Sequence, residues 1–150
     1  MDRKASRQRL YATLLALGAC ILLYRTTTMV CQASLNILAL WVSILLMAEM
    51  LIDLGCLLSC IPWWMSKDRT KSKLPLRLGA AAAIFHSLRV GVFVLGRVGP
   101  WIDFDVRPEH HAAHAETWTW TGVYFAAIMS VLGIIGVIII WILIRRAKKN

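Results

Sequence analysis

Glu49 and Asp53 stand four residues apart inside residues 35–61, LNILALWVSILLMAEMLIDLGCLLSCI, a stretch with no other charge. As an α-helix this stretch covers roughly 40 Å, enough to cross a bilayer with some tilt. A carboxylate at mid-membrane costs roughly 2.5–3.5 kcal/mol on insertion scales. Spacing i, i+4 puts both on one helical face, which continues to Cys56 and Cys60. Two such charges require compensation from elsewhere.

A second apolar run, residues 76–99, carries His86 and Arg89 near its middle. If the two runs are antiparallel neighbours, Glu49 and Arg89 lie at similar depth, and His86 falls between that level and Asp53. Arginine offers a carboxylate a bidentate, charge-assisted partner, and histidine offers one that titrates near neutral pH. Three chemistries suit such a cluster: an ionic lock that fixes helix register and partner choice, a proton or cation relay, or a polar cavity for a small substrate or headgroup. The lock is preferred, because no continuous line of protonatable residues leads from Asp53 to either surface.

A separate group of histidines follows in WIDFDVRPEHHAAHAET. Arg107-Pro108-Glu109 reads as a helix start, with the following residues extending the last apolar segment above the membrane. His110 and His114, or His111 and His114, could share a divalent metal with Asp103, Asp105, Glu109 or Glu116. The H-E-x-x-H spacing is absent and the remaining ligands would come from a loop without cysteine. The expectation is therefore a polar collar with no tight metal, and no cofactor. A phosphate loop, nucleophile elbow and dinucleotide fingerprint are also missing, and a haem would require a second histidine at the depth of His86. The balance leans away from an enzyme.

The elements that must position these residues follow from composition. The 150 residues are 59% hydrophobic with a mean hydropathy of +0.64, too apolar for an ordinary soluble domain. The net charge of +9 is gathered in short clusters between apolar runs, which argues for membrane loops and against nucleic acid. The four cysteines show no redox or zinc spacing and read as packing residues. Apolar segments at about 10–30, 35–61, 76–99 and 118–144 predict an all-α polytopic integral membrane protein, one domain of four transmembrane helices in an antiparallel bundle. Pro62 is expected to end the second helix, with Trp63, Trp64 and Trp141 at one interface and Trp101, Trp118 and Trp120 at the other. Small residues at Ala12, Ala16 and Cys20, at Gly79, Ala82 and Ala83, and at Gly122, Ala126, Ser130 and Gly133 suggest close helix contacts.

Charge asymmetry orients the chain. The first nine residues carry net +3, the loop around Lys67–Arg77 net +4 and the tail after Ile144 net +4, whereas Arg25, Arg97 and Arg107 are outweighed by Asp103, Asp105, Glu109 and Glu116. Both termini are thus expected in the cytoplasm, in a plasma or inner membrane. A competing reading takes Leu17-Gly18-Ala19-Cys20 as a lipoprotein cleavage box, but the apolar run continues past it through ILLY. Three functions follow. The chain is a non-enzymatic subunit or assembly partner among other membrane subunits, a small oligomeric proton- or ion-coupled transporter, or a metal-dependent membrane enzyme using the outer histidines.

Overall fold

The computed structural model describes residues 3–32, 36–66, 69–115 and 119–149. It contains four long helices, α1 (Arg3–Gln32), α2 (Leu40–Met65), α3 (Lys73–Leu95) and α5 (Trp120–Lys149), and one short helix, α4 (His111–Ala115). All four long helices contain stretches of 23 to 27 residues apolar enough to span a membrane. They form an antiparallel bundle in which α1 packs along α2, α2 along α3, and α3 along α5, with a lighter α1–α5 contact closing the ring. The end holding both chain termini is called proximal below; the other, holding the loop after α3, is called distal.

Both ends of α2 and both ends of α3 differ from those expected. α2 starts at Leu40 rather than residue 35, because the preceding backbone is used for pairing. Leu38 forms an isolated antiparallel bridge with Val106, and the Ala39 amide donates to the Asp105 carbonyl at 3.0 Å. α2 also runs through Pro62 to Met65. A proline so near a helix end forfeits one backbone bond, and the Ser66 amide closes the last turn on the Pro62 carbonyl at 3.1 Å. The Gln8 side chain, from α1, donates to the carbonyls of Trp63 and Ser66 at 3.0 and 2.6 Å. Trp63 is consequently a core residue, 2% exposed, rather than an interfacial one. α3 begins at Lys73, with Pro75 in the first turn where a missing N–H costs nothing. It stops at Leu95 rather than residue 99.

The proximal core joins Ala12, Leu15 and Ala19 of α1 to Cys56, Cys60 and Trp63 of α2. The contact stripe on α1 is therefore Ala12, Leu15, Ala19 and Thr26, while Cys20 is exposed. Spacing of three and four stays on one face of a 3.6-residue helix; the constant spacing of four in Ala12, Ala16 and Cys20 drifts off it. Gly79 and Ala82 of α3 are buried. A Cβ at Gly79 would lie 3.1 Å from Leu15 Cδ1, so this glycine sets how closely α3 approaches α1. The small face of α5 does not close against its neighbours: Gly122 and Gly133 are exposed. None of the most apolar part of α5 is buried, compared with a third of that of α2.

Candidate functional site

The face of α2 that carries Glu49 and Asp53 points into the bundle, and both carboxylates are 0% exposed. The structure brings Glu49, Asp53, His86 and Arg89 together. Arg89 Nε donates to both Glu49 oxygens, at 3.0 Å to Oε1 and 2.8 Å to Oε2. This is one nitrogen shared between two oxygens rather than the two-pronged fork expected. The other prongs are engaged elsewhere: Nη1 reaches Met29 Sδ at 3.2 Å and Nη2 reaches His86 Nδ1 at 3.1 Å.

That last contact suits one tautomer of the neutral histidine ring. A guanidinium only donates, so Nδ1 must accept and carries no proton, which places the ring proton on Nε2. Nε2 then donates to Asp53 Oδ2 at 2.9 Å. In that tautomer donation runs from Arg89 through His86 to Asp53. Glu49 Oε2 also lies 3.4 Å from His86 Nδ1, so a second proton on the ring would have an acceptor at slightly longer range. Asp53 Oδ1 is buried with no partner among the described residues.

α1 contributes two residues that the sequence alone did not indicate. Thr26, 0% exposed, donates to Glu49 Oε2 at 3.3 Å, and Met29 caps the guanidinium. They are three residues apart on one face, but a threonine within TTTMV is indistinguishable from its neighbours until the packing of α1 on α2 is known. Toward the proximal end the same face of α2 offers Cys56 and Cys60, 1% and 2% exposed, with Cys56 Sγ 3.7 Å from the Pro75 carbonyl. These thiols fill space between α2, α1 and α3.

A second buried ion pair lies at the distal end. Arg97 Nη1 donates to both oxygens of Asp105 at 2.9 Å, and the guanidinium lies 4.4 Å from the Phe93 ring centroid. The loop that carries the pair is a folded cap rather than an open connection. Asp103 takes φ 60°, a left-handed conformation that aspartate tolerates, and its amide returns to the Gly96 carbonyl at 2.9 Å. Gly96 is required because a Cβ there would collide with the Asp105 carboxylate. Arg107 fastens the loop to the segment before α2: its amide donates to the Ile37 carbonyl at 2.9 Å and its Nε to the Leu38 carbonyl at 3.1 Å. Phe104 packs between Trp41 and Trp101, at 5.4 and 5.9 Å.

The histidines occupy a different arrangement from the helical extension expected. A 3-10 turn at Pro108–His110 leads into α4, and Thr119 before α5 is not helical. His111 Nε2 lies 3.1 Å from the Val106 carbonyl, and Asp105 is turned inward to Arg97. The side chain of His114, along with Glu116 and Trp118, lies outside the described residues. Among the described residues, no three His, Cys, Asp or Glu side chains come together as a metal site. The charge cluster between α1, α2 and α3 is the constellation that this bundle assembles, and comparison of the chain with protein-family models, curated proteins and solved structures finds no match.

Proposed function

We propose that the chain is a non-enzymatic membrane subunit, an assembly partner in which the charge cluster locks α1, α2 and α3 into a rigid unit and leaves α5 to engage other subunits. The observation that carries this reading is the mutual engagement of Glu49 and Arg89 across three helices. Glu49 spends its oxygens on Arg89 and Thr26, and each nitrogen of the Arg89 guanidinium meets a partner, the three partners coming from three helices. Such a network resists sliding of one helix along another, because a shift by one turn would leave charges buried and unpaired. The absence of burial along the most apolar part of α5 supports its role as the docking helix. Gently extracted protein is expected to run as a stoichiometric complex with another membrane subunit. Ile128→Trp with Ile135→Trp, on the exposed side of α5, should return it to a monomer of unchanged helicity. A wild-type monomer in native lipid would defeat the proposal.

A proton-coupled transporter is the second reading, and the unpartnered Asp53 Oδ1 favours it as a place to hold a proton. Asp53→Asn in reconstituted vesicles separates the two. The lock predicts no proton flux above the lipid background in the wild type, and a loss of about 1–2 kcal/mol of stability in the variant from a weakened hydrogen bond. A relay predicts flux that Asp53→Asn abolishes while assembly is preserved. In orientation, both termini are assigned to the cytoplasm on the charge asymmetry of the loops. A cytoplasmic reporter fused after Asn150 should be active; activity confined to a reporter of the opposite compartment would reverse the assignment.

A further inference from the structure

Between α1, α3 and α5 lies a cavity of about 220 Å³ on the α5 side of the charge cluster, whose His86 and Arg89 form part of its wall. It arises where the small face of α5 fails to close: Ser130 and Gly133 line it, and a Cβ at Gly133 would meet nothing within 4 Å. The lining is graded along the membrane normal. α1 and α3 run toward the distal end and α5 away from it, so Arg25, Arg89 and Met129 sit at the distal end of the cavity and Ile21, Ala83 and Val137 at its proximal end. The exposed guanidinium of Arg25 therefore marks the distal end, His86, Arg89 and Ser130 follow nearer mid-membrane, and the proximal end is apolar, an order that suits an amphiphile entering from the distal side.

The sign of the polar end is equally defined. Arg25 is exposed and has no hydrogen-bond or ion-pair partner among the described residues. It lies seven positions before the end of α1, roughly 10 Å along the axis, from where a long side chain can extend to the headgroup level. No acidic side chain lines the cavity, since Glu49 and Asp53 are fully buried behind it. A guanidinium in this setting calls for an anion, and phosphate matches its planar fork. A zwitterionic head would bring its own cation up against the arginines.

We propose that this cavity binds one anionic phospholipid of the surrounding bilayer, its phosphate held by Arg25 and the upper part of an acyl chain lying between α1 and α5. The site is independent of the assembly role, because it requires only the monomer. Protein reconstituted in phosphatidylcholine vesicles with trace spin-labelled phosphatidylglycerol, phosphatidylcholine or stearate provides the test. The motionally restricted fraction should favour phosphatidylglycerol over phosphatidylcholine by about fivefold, the effect of one arginine near an anionic head. Arg25→Gln should bring the two to parity and Arg25→Lys should keep most of the preference. Gly133→Leu should abolish it by filling the cavity while circular dichroism stays unchanged. Parity in the wild type, or a preference that survives Arg25→Gln or Gly133→Leu, overturns the site; selection of stearate alone overturns the phospholipid in favour of a free fatty acid.

Discussion

Glu49→Gln and Arg89→Met are each expected to destabilise the bundle by about 3–5 kcal/mol, while the double variant loses much less than the sum. The cause is the charge left behind. Removing Arg89 leaves Glu49, 0% exposed, with Thr26 Oγ1 at 3.3 Å and His86 Nδ1 at 3.4 Å as its nearest polar contacts. Glu49→Gln leaves the guanidinium without its opposing charge and puts an amide NH2, which cannot accept, in place of one of the two oxygens that Nε meets at 2.8 and 3.0 Å. Replacing both with neutral groups removes the burial penalty together with the attraction. Denaturation in mixed micelles measures the three variants; additive losses would show that the pair does not act as a unit. Thr26→Val extends the test to α1: it should cost about 1 kcal/mol, the worth of one hydrogen bond, and nothing further in the Glu49→Gln background.

The second large effect is expected at the distal cap. Arg97→Met should cost about 3–5 kcal/mol, since it strands Asp105, which is 3% exposed, next to the Gly96 backbone. The damage should be directional. Asp105 is also the residue whose carbonyl receives the Ala39 amide, so release of its side chain loosens the bridge between residues 38 and 106 and the start of α2. Hydrogen exchange should rise first at the amides of Ala39, Asp103 and Arg107, with the proximal helices protected until global unfolding. Uniform loss of protection throughout the bundle would mean that the cap and the helices form one cooperative unit. Replacing Arg97 and Asp105 together, by methionine and leucine, should recover part of the loss.

Why the two ion pairs differed in legibility is a matter of periodicity. Glu49 and Asp53 share a helical face, and His86 and Arg89 sit at matching depth in the next helix, so counting residues along two antiparallel rods puts the four within reach. Arg97 and Asp105 are eight residues apart in an irregular loop, where no period relates sequence separation to distance. Their pairing depends on the left-handed turn at Asp103 and on the missing side chain of Gly96, neither of which a residue pattern announces.

Length, apolarity and the placement of charge determined, from the sequence by itself, that this is an all-α membrane protein of four spans, because a bilayer leaves a long apolar segment no alternative to a helix. Helical period also determined which face of α2 must turn inward. Tertiary structure decided everything that depends on rotation of one helix about its axis relative to another. It centred the contact face of α1 on Ala12, Leu15, Ala19 and Thr26, with Ala16 at its edge and Cys20 outside it, and made Thr26 and Met29 part of the cluster. It buried Trp63 beyond a proline that would be read as a stop. It also left the small face of α5 open, with Arg25 at the mouth of the space that results. Small residues permit close approach but do not compel it; whether neighbouring helices close the gap is settled by the side chains opposite, which a single helix does not encode.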